Sequence, residues 1–227
     1  MKRCCAILVL TALTQAFVFG QSETEARRWH FGAFAGPQLA FSLPKQSGSK
    51  PSRGMIAGVD VGYRFQNGAR GWSAHVQPNF SLLRNSTTSG DETTVQFTTL
   101  ESEASSVHLP FFVRYTFMDG KIRPFAEAGG NWAMRTNVSY QTTGRFCPDG
   151  AACTPIESDD KIKNAEVNRI GALISAGVQI DAGKAVIPIT LRVIQDVIRR
   201  EIDLEPIGGT YRNPRGRLIQ LTAGITF

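Results

Sequence analysis

Val107-His108-Leu109-Pro110-Phe111-Phe112-Val113-Arg114-Tyr115-Thr116-Phe117-Met118-Asp119-Gly120 is the stretch whose reading decides the fold. Val107, Leu109, Phe111, Val113, Tyr115 and Phe117 share one parity, while His108, Arg114 and Thr116 share the other. A period of two is that of an extended strand, whose side chains alternate between faces. The stretch runs into Asp119-Gly120, a pair that supplies the positive φ of a tight hairpin.

The same alternation recurs along the chain. Apolar sets of one parity are Trp29 to Phe41, Met55 to Phe65, Trp72 to Leu82, Ile170 to Ile180, Ile187 to Val193 and Ile219 to Phe227. A weaker, Ala/Gly-rich run covers Ile122 to Met134, which makes eight segments with Val107 to Phe117. The opposite parity holds Asp60, Arg64, His75, Gln77, Asn79, Glu127, Asn131, Arg135, Arg169, Ser175, Gln179, Thr190, Arg192, Gln220 and Thr222. A soluble barrel hides its apolar face. It rarely carries so many aromatic and branched residues on one face together with so many Gly on the other, and the reverse arrangement fits, with the apolar face to lipid and the polar face to the lumen.

The connections alternate too. Ser42 to Gly54, Arg84 to Ser106, Gln141 to Glu166 and about Asp196 to Arg215 are long, while Asn67-Gly68, Asp119-Gly120 and Asp181-Ala182-Gly183 are short. Membrane barrels have short turns on one side and long loops on the other. Seven links join eight strands, with both ends on the short-turn side. The fold class expected is all-β, an eight-stranded antiparallel up-and-down transmembrane barrel. Trp29, Phe31, Tyr63, Phe65, Trp72, Tyr115, Phe117 and Phe227 fall at strand ends beside short turns or termini, as an interfacial girdle requires. Pro37, Pro78, Pro110, Pro124 and Pro188 run against this pattern. Proline removes a ladder donor, and a closed barrel has no free edge to hide it.

Composition narrows the classes. The chain has 227 residues, 42% of them hydrophobic and only 19% charged, with 22 Gly and 4 Cys. A disulfide-dense scaffold and a bundle of membrane helices are excluded. The formal charge of +6 is small and dispersed, so nucleic acid is not an expected partner. Met1-Lys2-Arg3 followed by the apolar Cys4 to Phe19 reads as an export signal cleaved after Gly20. The expected organisation is a signal peptide at 1–20, a short lead at 21–28 and the barrel at 29–227. In an oxidising compartment Cys147 and Cys153 are expected to form a disulfide, because two thiols with no nearby His make a poor metal site.

The chain resembles the small outer-membrane β-barrel proteins, especially the PorT-like group, with OmpA/OmpX-type barrels as architectural relatives. The resemblance rests on Val107 to Tyr115, on Arg123-Pro124-Phe125-Ala126-Glu127-Ala128-Gly129-Gly130, and on Leu221-Thr222-Ala223-Gly224-Ile225-Thr226-Phe227. It implies the outer membrane as location and the bilayer and lipopolysaccharide as surroundings. It also implies that Leu221, Ala223, Ile225 and Phe227 resemble the closing-strand signal read by the outer-membrane insertion machinery. The PorT name would imply a partner in a secretion assembly. The resemblance implies no single activity.

Eight strands enclose an interior just wide enough for side chains. Asp60, Arg64, His75, His108, Arg114, Glu127, Asn131, Arg135, Arg169, Gln179 and Arg192 are therefore read as a lumen network that plugs the barrel, with Asp181 as a further counter-charge. Neither a cofactor nor a metal is expected. An enzyme acting on lipid A would recruit a His such as His75 or His108, a Ser and an acid, yet no Gly-x-Ser-x-Gly occurs. A small pore is the other alternative. Gly130-Asn131-Trp132 matches the Gly-x-Trp of lipocalins, but on the fifth strand rather than the first, and is taken as chance. Lys45 to Arg53 and Arg199 to Asp203 place charge in long loops that could meet phosphates. A solvated loop surface is the preferred reading of both.

Overall fold

A computed structural model describes residues 28–43, 51–90, 97–146, 153–162, 168–197, 201–204, 209–212 and 215–227. The expected signal peptide, most of the lead, and Cys147 lie outside these residues. The described strands are β1 (Trp29–Leu43), β2 (Ser52–Arg64), β3 (Gly71–Val76), β4 (Asn79–Gly90), β5 (Phe97–Thr116), β6 (Ile122–Phe146), β7 (Thr154–Ile162), β8 (Asn168–Asp181), β9 (Val186–Asp196), β10 (Glu201–Leu204), β11 (Gly209–Arg212) and β12 (Arg215–Thr226).

Every pairing is antiparallel, and the ladder runs β4-β2-β1-β12-β9-β8-β6-β5 before returning through β5 to β3 and β4. β3 and β4 are one stave. Val76 and Asn79 keep a common register against Val61 and Gly58 on one side and Phe111 and His108 on the other. Counted so, the closed ring has eight staves. The short links turn at Gly68 (φ 138°), Gly120 (φ 114°) and Gly183 (φ 86°), in the left-handed region that glycine enters at low cost.

The in-strand prolines fall where ladders lapse. Gln77 N–H bonds the Pro110 carbonyl and Val59 N–H bonds the Pro78 carbonyl, and the reciprocal bonds have no donor. Pro78 and Pro110 thus sit diagonally across one gap, and the break between β3 and β4 marks it. At Pro37 the β1–β12 pairing skips from Ala35↔Ala223 to Gln38↔Gln220. At Pro188 the β9–β12 pairing skips from Ile189↔Ala223 to Val186↔Thr226. Pro124 lies near the start of β6, where its carbonyl accepts from Phe117 N–H.

The long links differ from their reading as loops. Asn85 to Gly90 pair with Ser102 to Phe97, and Gln141 to Phe146 extend β6 and pair with β7. A separate hairpin, β10–β11, occupies part of the last link. These Ser/Thr-rich stretches lack apolar alternation because both faces are wet, so period two does not reveal them. A membrane strand needs about 10 residues. β5 has 20 and β6 has 25, so both project well past a bilayer.

Apolar side chains face outward in the closed wall. Val59, Val113 and Ile174 are 47%, 42% and 64% exposed, whereas Arg114 and Arg192 are 2% and 3% exposed. At the short-turn end Trp29 packs edge-on to Tyr63, Tyr63 to Phe65 and Tyr115 to Phe117, while Trp72 lies against Tyr115. Such a surface suits hydrocarbon flanked by interfaces rather than water. Ile174→Lys, mid-stave and outward, is expected to lower unfolding free energy by about 2–4 kcal/mol. Leu100→Lys, in the projecting part of β5, should change it by no more than about 0.5 kcal/mol. Urea titration of protein refolded into lipid vesicles measures both.

Candidate functional site in the barrel lumen

The inward parity of each stave stacks polar side chains in layers along the axis. At the centre Glu127 of β6 meets Arg114 of β5 at 2.6 Å and Arg192 of β9 at 3.0 Å. Ser175 of β8 donates to the same Glu127 carboxylate. The Arg114 guanidinium lies 4.3 Å from the Phe125 ring centre and the Arg192 guanidinium 4.8 Å from that of Phe112. Phe112 in turn stacks on His75 at 5.1 Å with an interplanar angle of 5°. Two arginines thus grip one buried carboxylate while aromatic faces cover their planar sides, a geometry that suits guanidinium.

Toward the short turns lies a second layer. His75 Nδ1 is 3.0 Å from Asp60 Oδ1, and His75 Nε2 is 2.9 Å from Ser73 Oγ. His30 of β1 meets the His75 ring edge-on at 4.8 Å. Gly62 stands between the two histidines in the pairing row. A Cβ on Gly62 would fall 2.0 Å from His30 Nε2, so only glycine leaves room for that ring. Gln179 and Arg64 line the same end. Away from the turns, His108 Nδ1 pairs with Asn131 Nδ2 at 3.2 Å. Farther out Arg169 bonds Asp196 at 3.3 Å, and Arg135 sits half-buried across from Ser106. Arg123 pairs with Asp181 at 3.2 Å near the turn-side rim.

The eleven residues named from sequence therefore divide. Asp60 with His75, Arg114 with Glu127 and Arg192, and His108 with Asn131 meet directly. Arg169 pairs with a residue outside the set, and Arg64 and Gln179 line a cavity. Sequence reading missed His30, Ser73, Ser81, Gln38 and the lumenal Phe34, Ile56, Phe112 and Phe125. Gln38 donates to Ser81 Oγ and to the Met55 carbonyl, and accepts from Gln220. The signal for them was available, because each shares the inward parity of its own strand.

Asp60, His75 and Ser73 reproduce the acid–imidazole–hydroxyl order of acyl-transfer sites. Two features oppose that chemistry. The cavity beside Ser73 measures about 10 Å³, room for about one water. Ser73 is also paired with Arg64 on one side and Arg114 on the other, which commits its backbone to ladders rather than to an oxyanion. A second cavity of about 10 Å³ lies between Phe34, Asp60, Gln77, Arg114 and Thr190.

The sequence profile described as outer membrane protein beta-barrel domain matches residues 19–194. That description is broader than the PorT-like group. Comparison with curated proteins finds no match. Among solved structures, neisserial surface protein A is 14% identical, with 89% of this chain and 98% of that chain covered and a TM-score of 0.41. Pseudomonas aeruginosa OprG is 12% identical, with coverage of 87% and 95% and a TM-score of 0.43. Yersinia pestis Ail, the attachment invasion locus protein, is 9% identical, with coverage of 88% and 99% and a TM-score of 0.41.

Glu127→Ala leaves two buried guanidinium groups without their carboxylate and is expected to cost about 3–5 kcal/mol. Arg84→Ala breaks the exposed Arg84–Glu103 pair and should cost less than about 1 kcal/mol. Denaturant midpoints of the refolded variants separate the two.

Proposed function

The chain belongs to the outer membrane protein beta-barrel domain family and resides in the outer membrane, and on that premise we propose that it is a non-enzymatic barrel whose lumen is a structural plug and whose projecting strands carry recognition. The observation that carries this reading is the grip of Arg114 and Arg192 on Glu127. With Ser175 it braces four consecutive staves, β5, β6, β8 and β9, across the space a solute would need.

Recognition then falls to the outward extensions of β4, β5, β6 and β7. They expose hydroxyl-rich and acidic positions such as Thr154, Glu101, Glu157 and Asp159. A role in envelope structure, adhesion or a secretion assembly is consistent with such a surface. The supporting expectations are export by residues 1–20, a lead at 21–28, a barrel from 29 to 227, and insertion guided by Leu221, Ala223, Ile225 and Phe227. A Cys147–Cys153 bond would tie down the link between β6 and β7.

Single-channel recording in planar bilayers tests the plug. The protein as it stands should show no resolved conductance steps, and replacing Arg114, Glu127 and Arg192 together by Ala should create them. Steady channels from the unaltered protein would favour the pore reading instead. Intact mass of the protein from cells should match a chain starting at Gln21. It should also lie two hydrogens below the fully reduced mass.

A further inference from the structure

The histidine pair near the short turns is not needed by the Glu127 plug, and its geometry has a use of its own. His30, Asp60 and His75 each present a ligand atom, and these atoms lie within 4.8 Å of one another. The residues are 7%, 4% and 2% exposed. They come from three adjacent staves whose backbones are locked by ladder pairing, His30 and His75 both opposite Gly62. His30 Nδ1 is buried and has no hydrogen-bond partner. A buried imidazole with an unmet nitrogen is costly unless something binds it. Asp60 Oδ1 and His75 Nδ1 are held 3.0 Å apart as neighbouring donors, and the His75 tautomer protonated at Nε2, donating to Ser73 Oγ, leaves Nδ1 free for the ion. The water-sized cavity lined by His30, Ser73 and His75 lies on the turn side, where an ion and its remaining water ligands could enter.

We infer that His30, Asp60 and His75 bind one divalent transition-metal ion of the zinc, copper or nickel class. Two imidazoles and one carboxylate are the donors these ions prefer, and calcium and magnesium prefer all-oxygen sets. Ligand atoms on a tetrahedral zinc at about 2.1 Å lie roughly 3.4 Å apart. Binding requires the His30 ring, which no hydrogen bond at Nδ1 restrains, to turn so that its nitrogen closes to this spacing. Arg114, the cation that would most oppose an ion here, is already engaged by Glu127. Arg64 lines the cavity and sets the charge an entering ion must pass. The site is independent of whether the lumen conducts.

The test is calorimetric titration of the full chain, refolded in detergent, with Zn²⁺ in excess magnesium. One ion per chain is expected. His30→Gln should weaken binding by at least about 10–100-fold, the loss that removing an outer-shell partner alone causes, as should His75→Gln, while His108→Gln should leave it unchanged. Co²⁺ substitution should give visible absorption bands that disappear in His30→Gln. A heat-dependent shift on gels shows which variants have folded. Should His75→Gln fail that check, His30→Gln decides, because it removes a nitrogen that has no partner to lose. Absence of stoichiometric binding in the unaltered protein overturns the inference. So does an affinity unchanged by His30→Gln, or one lost equally in His108→Gln.

Discussion

Hydrocarbon offers no hydrogen-bond partner, so every backbone N–H and C=O in a spanning segment must be met by its neighbours. The ring from β1 through β12 and back through β2 meets this demand by closing on itself. Eight staves also limit the bore. Whatever faces inward is therefore packed against other side chains rather than bathed in a channel.

Closure explains where the prolines lie. A proline in a closed ladder costs one bond wherever it is placed. Pro78 lacks the bond toward Val59 of β2 and Pro110 the bond toward Gln77, so the stave formed by β3 and β4 loses one bond on each of its two seams at neighbouring positions, and the two losses are confined to one level of the wall. Pro37 and Pro188 open lapses on opposite sides of β12. β12 pairs with β1 to complete the ring, and the remaining pairs on both its sides hold that seam.

Packing inside the ring explains the mixture found there. Charged groups alone would leave gaps, and apolar groups alone would leave the arginines unsolvated. Phe112 serves both needs, stacking on His75 while lying under the Arg192 guanidinium. Glu127 then neutralises two cations with a single carboxylate. The lumen is thereby filled and paired at the same time, which is what a narrow low-dielectric bore demands.

Parity, turn residues and the aromatic girdle are local properties, written over a few neighbouring positions. From them the sequence by itself determined the staves, the side of each link, and which face of Val59, Val113 and Ile174 meets lipid. Even Arg114, Glu127 and Arg192 could be assigned inward from their neighbours alone. Which inward residues touch was decided only by the tertiary structure, because register joins positions far apart in the chain. Sequence spacing does not show that Gly62 lies between His30 and His75, or that Glu127 reaches Arg192 two staves away. The projecting ends of β4, β5 and β6 were illegible for a different reason. Outside the bilayer neither face is apolar, so strands held by ladder bonds alone leave no periodic trace in Ser, Thr and Glu.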